Sequence, residues 1–154
     1  MMPAPPSIFA EDLRLGETFA LGARALTVTE IVEFGRLWDP LAFHVDPRAA
    51  ESSKFGGLVA SGVQTIALFQ RMCVDQQFSH WALLAGRSFR DVVFVKPVRP
   101  GVKLSGSLSV AEVAHRSPRS ADVVLDGLLL DDDEHTVFTM TLVISMQRRT
   151  EGSA

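Results

Sequence analysis

The chain changes its hydrophobic period midway, and that change limits the fold more than any other feature. Ser61-Gly62 opens the longest helical stretch, in which Val63, Ile66, Ala67, Leu68, Phe69, Met72, Cys73 and Val74 leave little polar surface. A helix apolar on most sides has to be wrapped by other elements. Further on, the even positions of residues 102–110 read Val, Leu, Gly, Leu, Val, while the odd ones are Lys103, Ser105, Ser107 and Ser109. That is the two-residue period of a strand with one buried face. Phe138, Met140, Leu142, Ile144 and Met146 repeat it against Thr139, Thr141 and Ser145, and a third run at 121–130 lies between Ser117-Pro118 and the acidic group 131–134. Such turn signals predict hairpins of an antiparallel sheet. A fourth extended stretch over 81–95 ends before Pro97, which lacks the N–H that a central strand needs.

The front half reads as loop and short helices. Thr27 and Glu30 form a capping-box pair, Ile31, Phe34, Leu37 and Trp38 follow on one face, and Asp39-Pro40 stops the helix. Asp46-Pro47 starts another, which runs through Glu51 and closes at Phe55-Gly56-Gly57. This order predicts an α+β layer in which a sheet curls round one buried helix. The 154 residues contain no linker and no fixed repeat, so one domain is expected over 9–148. Residues 1–8, with three prolines, read as a flexible arm and 149–154 as a flexible tail.

Fifteen basic against eighteen acidic side chains give a formal charge of −3, so no general attraction to nucleic acid or anionic lipid is expected. Cys73 is the single cysteine and forms neither an internal bridge nor a multi-cysteine metal site. His80, His115 and His135 stand far from His44 and from one another, without metal-ligand spacing, and no glycine-rich phosphate loop is present. Neither metal nor cofactor is therefore expected. With no apolar run near the ~18 residues of a membrane span and no secretory pattern at the amino terminus, the chain reads as a soluble cytoplasmic protein.

The densest polar cluster is Asp39-Pro-Leu-Ala-Phe-His44-Val-Asp46. Pro40 breaks the helix and lets Asp39 and His44 converge, and a carboxylate facing an imidazole holds and polarises a water for acid–base chemistry. The other reading makes Asp39 a turn residue and His44 a satisfied loop histidine. Ser61-Gly62, at a helix start with unpaired N–H groups, is either an oxyanion site or an ordinary cap. Lys96, Arg99 and Lys103 are either a solvated strand end or a local patch for a phosphate-bearing ligand. The run 131–134 reads as a solvated hairpin tip without the spacing of a calcium loop.

Taken in order, Phe-Ala-Glu-Asp-Leu at 9–13, Gly16, Thr27-Val-Thr-Glu-Ile, the Asp39 to Asp46 segment, Phe55-Gly-Gly-Leu-Val-Ala-Ser-Gly62 and Lys96-Pro-Val-Arg-Pro-Gly101 resemble the MaoC-like dehydratases, the hotdog-fold (R)-specific enoyl-CoA hydratases. The resemblance runs from about residue 9 to 147. It implies a hotdog fold, an antiparallel sheet around a long central helix, usually paired as a homodimer with an acyl-CoA tunnel at the subunit boundary. It also implies that Asp39 and His44 activate the water added to a 2-enoyl thioester. Gly62, preceded by Ser61, would lie near the thioester carbonyl; Leu41, Phe43 and Phe55 would bound the acyl tunnel, and Lys96 and Arg99 would meet the phosphates. One departure is clear: Leu41 and Ala42 stand where the family carries an amide side chain and a proline. Leu41 neither donates nor accepts a hydrogen bond. A non-catalytic acyl-CoA-binding subunit is therefore the rival reading, with a thioesterase on the same fold as a third.

Overall fold

The computed structural model describes residues 4–150. Its elements are β1 (Thr18–Arg24), α1 (Val28–Trp38), α2 (Ala42–Val45), α3 (Pro47–Glu51), α4 (Gly62–Cys73), continued by a π-helical turn at Val74–Phe78, and then β2 (Leu83–Phe94), β3 (Leu104–His115), β4 (Ser120–Leu130) and β5 (Thr136–Gln147). The strands form one antiparallel sheet in the order β1-β3-β4-β5-β2. This is the expected α+β hotdog arrangement, with α4 against the apolar face of the sheet. Among the described residues no helix is long and apolar enough to cross a membrane.

The alternating segments form strands because every second side chain reaches the core. Leu104, Leu108 and Val110 of β3, Leu125 and Leu129 of β4, and Phe138, Met140, Leu142, Ile144 and Met146 of β5 are all buried. From α4, Leu68, Phe69, Met72 and Cys73 meet them. Burial pushes the Cys73 thiol up to about 12, so it is an inert core residue. At Gly127 of β4 a Cβ would overlap the Phe69 ring, so the helix comes this close only because that strand position carries a hydrogen. Gly127→Ala should therefore overpack the core and cost about 1–3 kcal/mol, read as a lower urea midpoint with an unchanged m-value.

Three expectations need correction. The front half holds a strand, β1, which pairs with β3; only Phe19 and Leu21 point inward before Gly22, at φ 71°, shifts the register between Ala20 and Ala23. The loop after Asp39 contains a helical turn, α2. And the central helix is not sheathed on all sides: Val63 of α4 is 58% exposed and Val74, in the π-helical turn that continues it, 39%, while Gln64 and Thr65 are buried. Parts of the expected arm and tail, residues 1–3 and 151–154, lie outside the described residues. At their inner ends the Ser7 and Ile8 N–H groups donate to the His80 carbonyl, and the Arg148 and Arg149 guanidinium groups pair with Glu11 and Asp12.

Candidate active site

Asp39 closes α1, its N–H donating to the Gly35 carbonyl at 2.8 Å, and Pro40 prevents the helix from continuing. The chain then turns back: the Leu41 N–H donates to the Asp39 carbonyl and the His44 N–H to the Leu41 carbonyl. This reversal packs α2 against α1 so tightly that a Cβ on Gly35 would stand 2.9 Å from the His44 carbonyl oxygen and 3.1 Å from His44 Cβ. Gly35 is thus a spacing requirement of the site.

The imidazole of His44 is buried and oriented at both nitrogens. Nδ1 lies 2.6 Å from the carbonyl oxygen of Val59, and Nε2 lies 3.4 Å from Asp39 Oδ2. A carbonyl only accepts, so Nδ1 carries a hydrogen, and Nε2 faces the Asp39 carboxylate across a gap that a shared proton or a donating water can bridge. Val59 is itself tied to this segment, its N–H donating to the Phe43 carbonyl at 3.1 Å. Asp39 keeps 29% of its side chain exposed, which leaves the carboxylate open to water.

Ser61 joins the two halves of the site. Its hydroxyl donates to Asp39 Oδ2 at 2.6 Å and accepts from the Val63 N–H at 3.2 Å, capping α4. The single hydroxyl hydrogen is engaged by the carboxylate, so this side chain serves Asp39 and does not point a donor at a neighbouring carbonyl. At the same helix end the first-turn amides, Gly62 included, have no intrahelical acceptor and carry the positive end of the helix dipole.

A cavity of about 320 Å³ opens beside this arrangement, lined among others by Phe43, His44, Phe55, Gly62, Thr65 and Phe94. Its walls are mostly apolar, with His44 and Lys96 as the titratable residues among those that line it. Of the residues singled out in the sequence, Phe43, His44, Phe55 and Gly62 line this cavity, while Asp39 and Ser61 are not among its lining residues and connect to it through the Asp39–His44 and Ser61–Asp39 contacts. Leu41 departs from its expected place in the wall. It is 50% exposed at the start of α2 and is not part of the cavity wall, because the reversal after Pro40 turns it outward. Lys96 lines the cavity, and its ammonium donates to Asp131 Oδ2 at 2.7 Å. That bond, with the His135 N–H, holds the Asp131 carboxyl down at about 2. Arg99 lines an adjoining cavity and donates to the Phe55 carbonyl at 2.6 Å, tying the rim loop to the β2–β3 connection. Each cation therefore has a structural partner already. Phe94 was missed in the sequence, since nothing local to residue 94 signals a contact with residue 62. At the hairpin tip Asp131, Asp133 and His135 bring ligand atoms within 4.8 Å of one another, an exposed acidic group in which Asp131 is taken up by Lys96.

Comparison with known proteins agrees with this fold. The uncharacterized protein YdeM of Bacillus subtilis is 26% identical over 141 residues, covering 90% of this chain and 98% of that protein. The crystal structure of a MaoC-like dehydratase from Rhodospirillum rubrum superposes with a TM-score of 0.85 at 29% identity, covering 93% of this chain and 99% of the other. The R-hydratase PhaJ1 from Pseudomonas aeruginosa shares the fold, with a TM-score of 0.74 at 16% identity, covering 96% of this chain and 94% of the other. Residues 13–127 match the family described as the MaoC like domain, and on that match the chain belongs to the MaoC-like dehydratase family.

Proposed function

We propose that this protein catalyses the reversible hydration of a trans-2-enoyl thioester, carried on coenzyme A, to the (R)-3-hydroxyacyl thioester. The observation that carries this reading is the His44 imidazole, held at Nδ1 by the Val59 carbonyl with Nε2 toward Asp39, in a cavity that also contains the N-terminus of α4. A water between Asp39 and His44 loses a proton to the pair as its oxygen bonds to C3. Charge moves through C2 to the thioester oxygen, where the Gly62 N–H stabilises it. The pair then returns a proton to C2, so the elements of one water are added and the pair is restored. Neither redox chemistry nor a metal is required by this sequence of steps.

Phe43 and Phe55, whose rings meet edge to face at 5.2 Å, supply apolar wall for the acyl group. Lys96 and Arg99, at the mouth, would meet the phosphates of coenzyme A with the N–H donors their structural partners leave over. A second copy of the chain is expected along β2: Leu84, Phe89 and Val93 are each about half exposed on this edge strand, which offers unpaired backbone groups to another strand. Pairing there would place the cavity at the subunit boundary.

Ser61→Ala should lower the melting temperature, through loss of a cap worth about 0.5–2 kcal/mol, and should reduce kcat by about tenfold, the effect of roughly 1.4 kcal/mol, with KM little changed. Wild-type kcat in a folded variant would remove Ser61 from the working site. The reading as a whole is tested with enoyl-CoA substrates of increasing chain length, followed by loss of the conjugated thioester absorbance. Turnover of at least one supports it. Tight binding without absorbance loss favours the non-catalytic subunit suggested by Leu41, and release of free thiol favours a thioesterase.

A further inference from the structure

We propose that Phe94 is the specificity-determining residue of this site, its ring forming the wall beside Gly62 that restricts the substrate to enoyl thioesters without a substituent on C2. The inference rests on the hydratase reading above and names the substrate class within it. Phe94 ends β2 and lies in register with Phe138 of β5. The two rings meet in a tilted arrangement, centroids 5.8 Å apart and 35° between planes, and Phe138 packs in turn on Phe69 at 5.6 Å. Phe69 and Phe138 are both fully buried. One side of the Phe94 ring is thus supported by fully buried core rings.

The other end of the ring meets Gly62. A Cβ built on that glycine would lie 2.8 Å from Phe94 Cζ and 3.0–3.1 Å from the two Cε atoms. The ring tip therefore fills the space next to the α-carbon of Gly62, one bond from the N–H proposed to hold the thioester oxygen. In the substrate, C2 is two bonds from that oxygen, so a thioester held by this N–H would bring C2 into the neighbourhood of the Phe94 ring. The ring lines the cavity together with His44, and it is 51% exposed although its support is buried. An aromatic ring anchored on the core and open toward the cavity is a contact surface for a ligand. Syn addition by one Asp/His pair uses one face of the enoyl plane, and the opposite face needs only an apolar support. In this pose a planar, unsubstituted C2 fits beside the ring, whereas a methyl group on C2 would press against it. Close-packed sites discriminate one methyl group by about 10–200-fold.

The test compares wild type, Phe94→Ala and Phe94→Leu, each checked for folding by thermal melt. Calorimetric titration with the non-reacting butyryl-CoA and 2-methylbutyryl-CoA gives a binding ratio, and crotonyl-CoA against 2-methylcrotonyl-CoA gives a ratio of kcat/KM. Wild type should favour the unbranched compounds by about tenfold or more. Phe94→Ala should bring both ratios to within about threefold, mainly by improving the branched ligand, with Phe94→Leu between them. Unchanged ratios in a folded variant overturn the proposal. Should wild type bind the saturated pair selectively yet hydrate neither enoyl compound, the hydratase reading fails while the assignment of Phe94 stands. Failure to bind either saturated compound overturns both.

Discussion

Asp39→Asn and His44→Ala, made separately, should each lower kcat for crotonyl-CoA by about 10²–10⁴-fold, the range supplied by a positioned general acid or base. KM should change far less, because neither side chain grips the carrier. Asp39→Asn keeps an oxygen for the Ser61 hydroxyl, so the bond that pins residue 39 to the cap of α4 survives while the charge disappears. His44→Ala removes a buried ring whose Nδ1 is satisfied by the Val59 carbonyl, leaving that carbonyl open to water through the cavity. Both variants should remain folded by circular dichroism. Non-additivity is expected in the double variant, since two groups acting on one water are lost together once either is gone. Wild-type turnover in both single variants would refute the assignment.

Phe69→Ala should have the largest effect on stability, about 3–5 kcal/mol, or roughly 6–20 °C in melting temperature at the ~2–4 °C per kcal/mol of a domain this size. The ring is fully buried, sits over Gly127 where the sheet lacks a side chain, and supports Phe138. Its removal leaves a void that neither Gly127 nor the tilted Phe138 ring can fill. Loss near the upper bound consumes a large part of the ~5–15 kcal/mol available to a natural domain. A loss below ~1 kcal/mol would mean that α4 does not close on the sheet as described.

Much of this arrangement could be read from residue pattern because the chemistry is local. The alternation in β3 and β5 and the apolar run of α4 are properties of short windows, and both follow from one buried face. Asp39 and His44 were visible because a proline between them has a known local effect. What escaped the sequence depends on distance through space. β1 shows two inward residues before its Gly22 irregularity, too short a run to declare a period. Ser61 looked like an oxyanion donor or a cap until Asp39, 22 positions earlier, proved to take its hydrogen. Gly35 and Gly62 gave no hint that one makes room for the His44 turn and the other for the Phe94 ring. Leu41 sits in the motif by position, yet the turn after Pro40 directs it outward.

The central claim, that Asp39 and His44 add water to a conjugated thioester, is tested most directly by incubating wild type and Asp39→Asn with crotonyl-CoA and recording absorbance and product mass together. The account predicts that wild type removes the conjugated absorbance and yields an intact thioester heavier by one water, chiral as the (R)-3-hydroxy product, while Asp39→Asn does neither at a comparable rate. Persistent absorbance with bound crotonyl-CoA, or free thiol in place of a hydrated thioester, would contradict it.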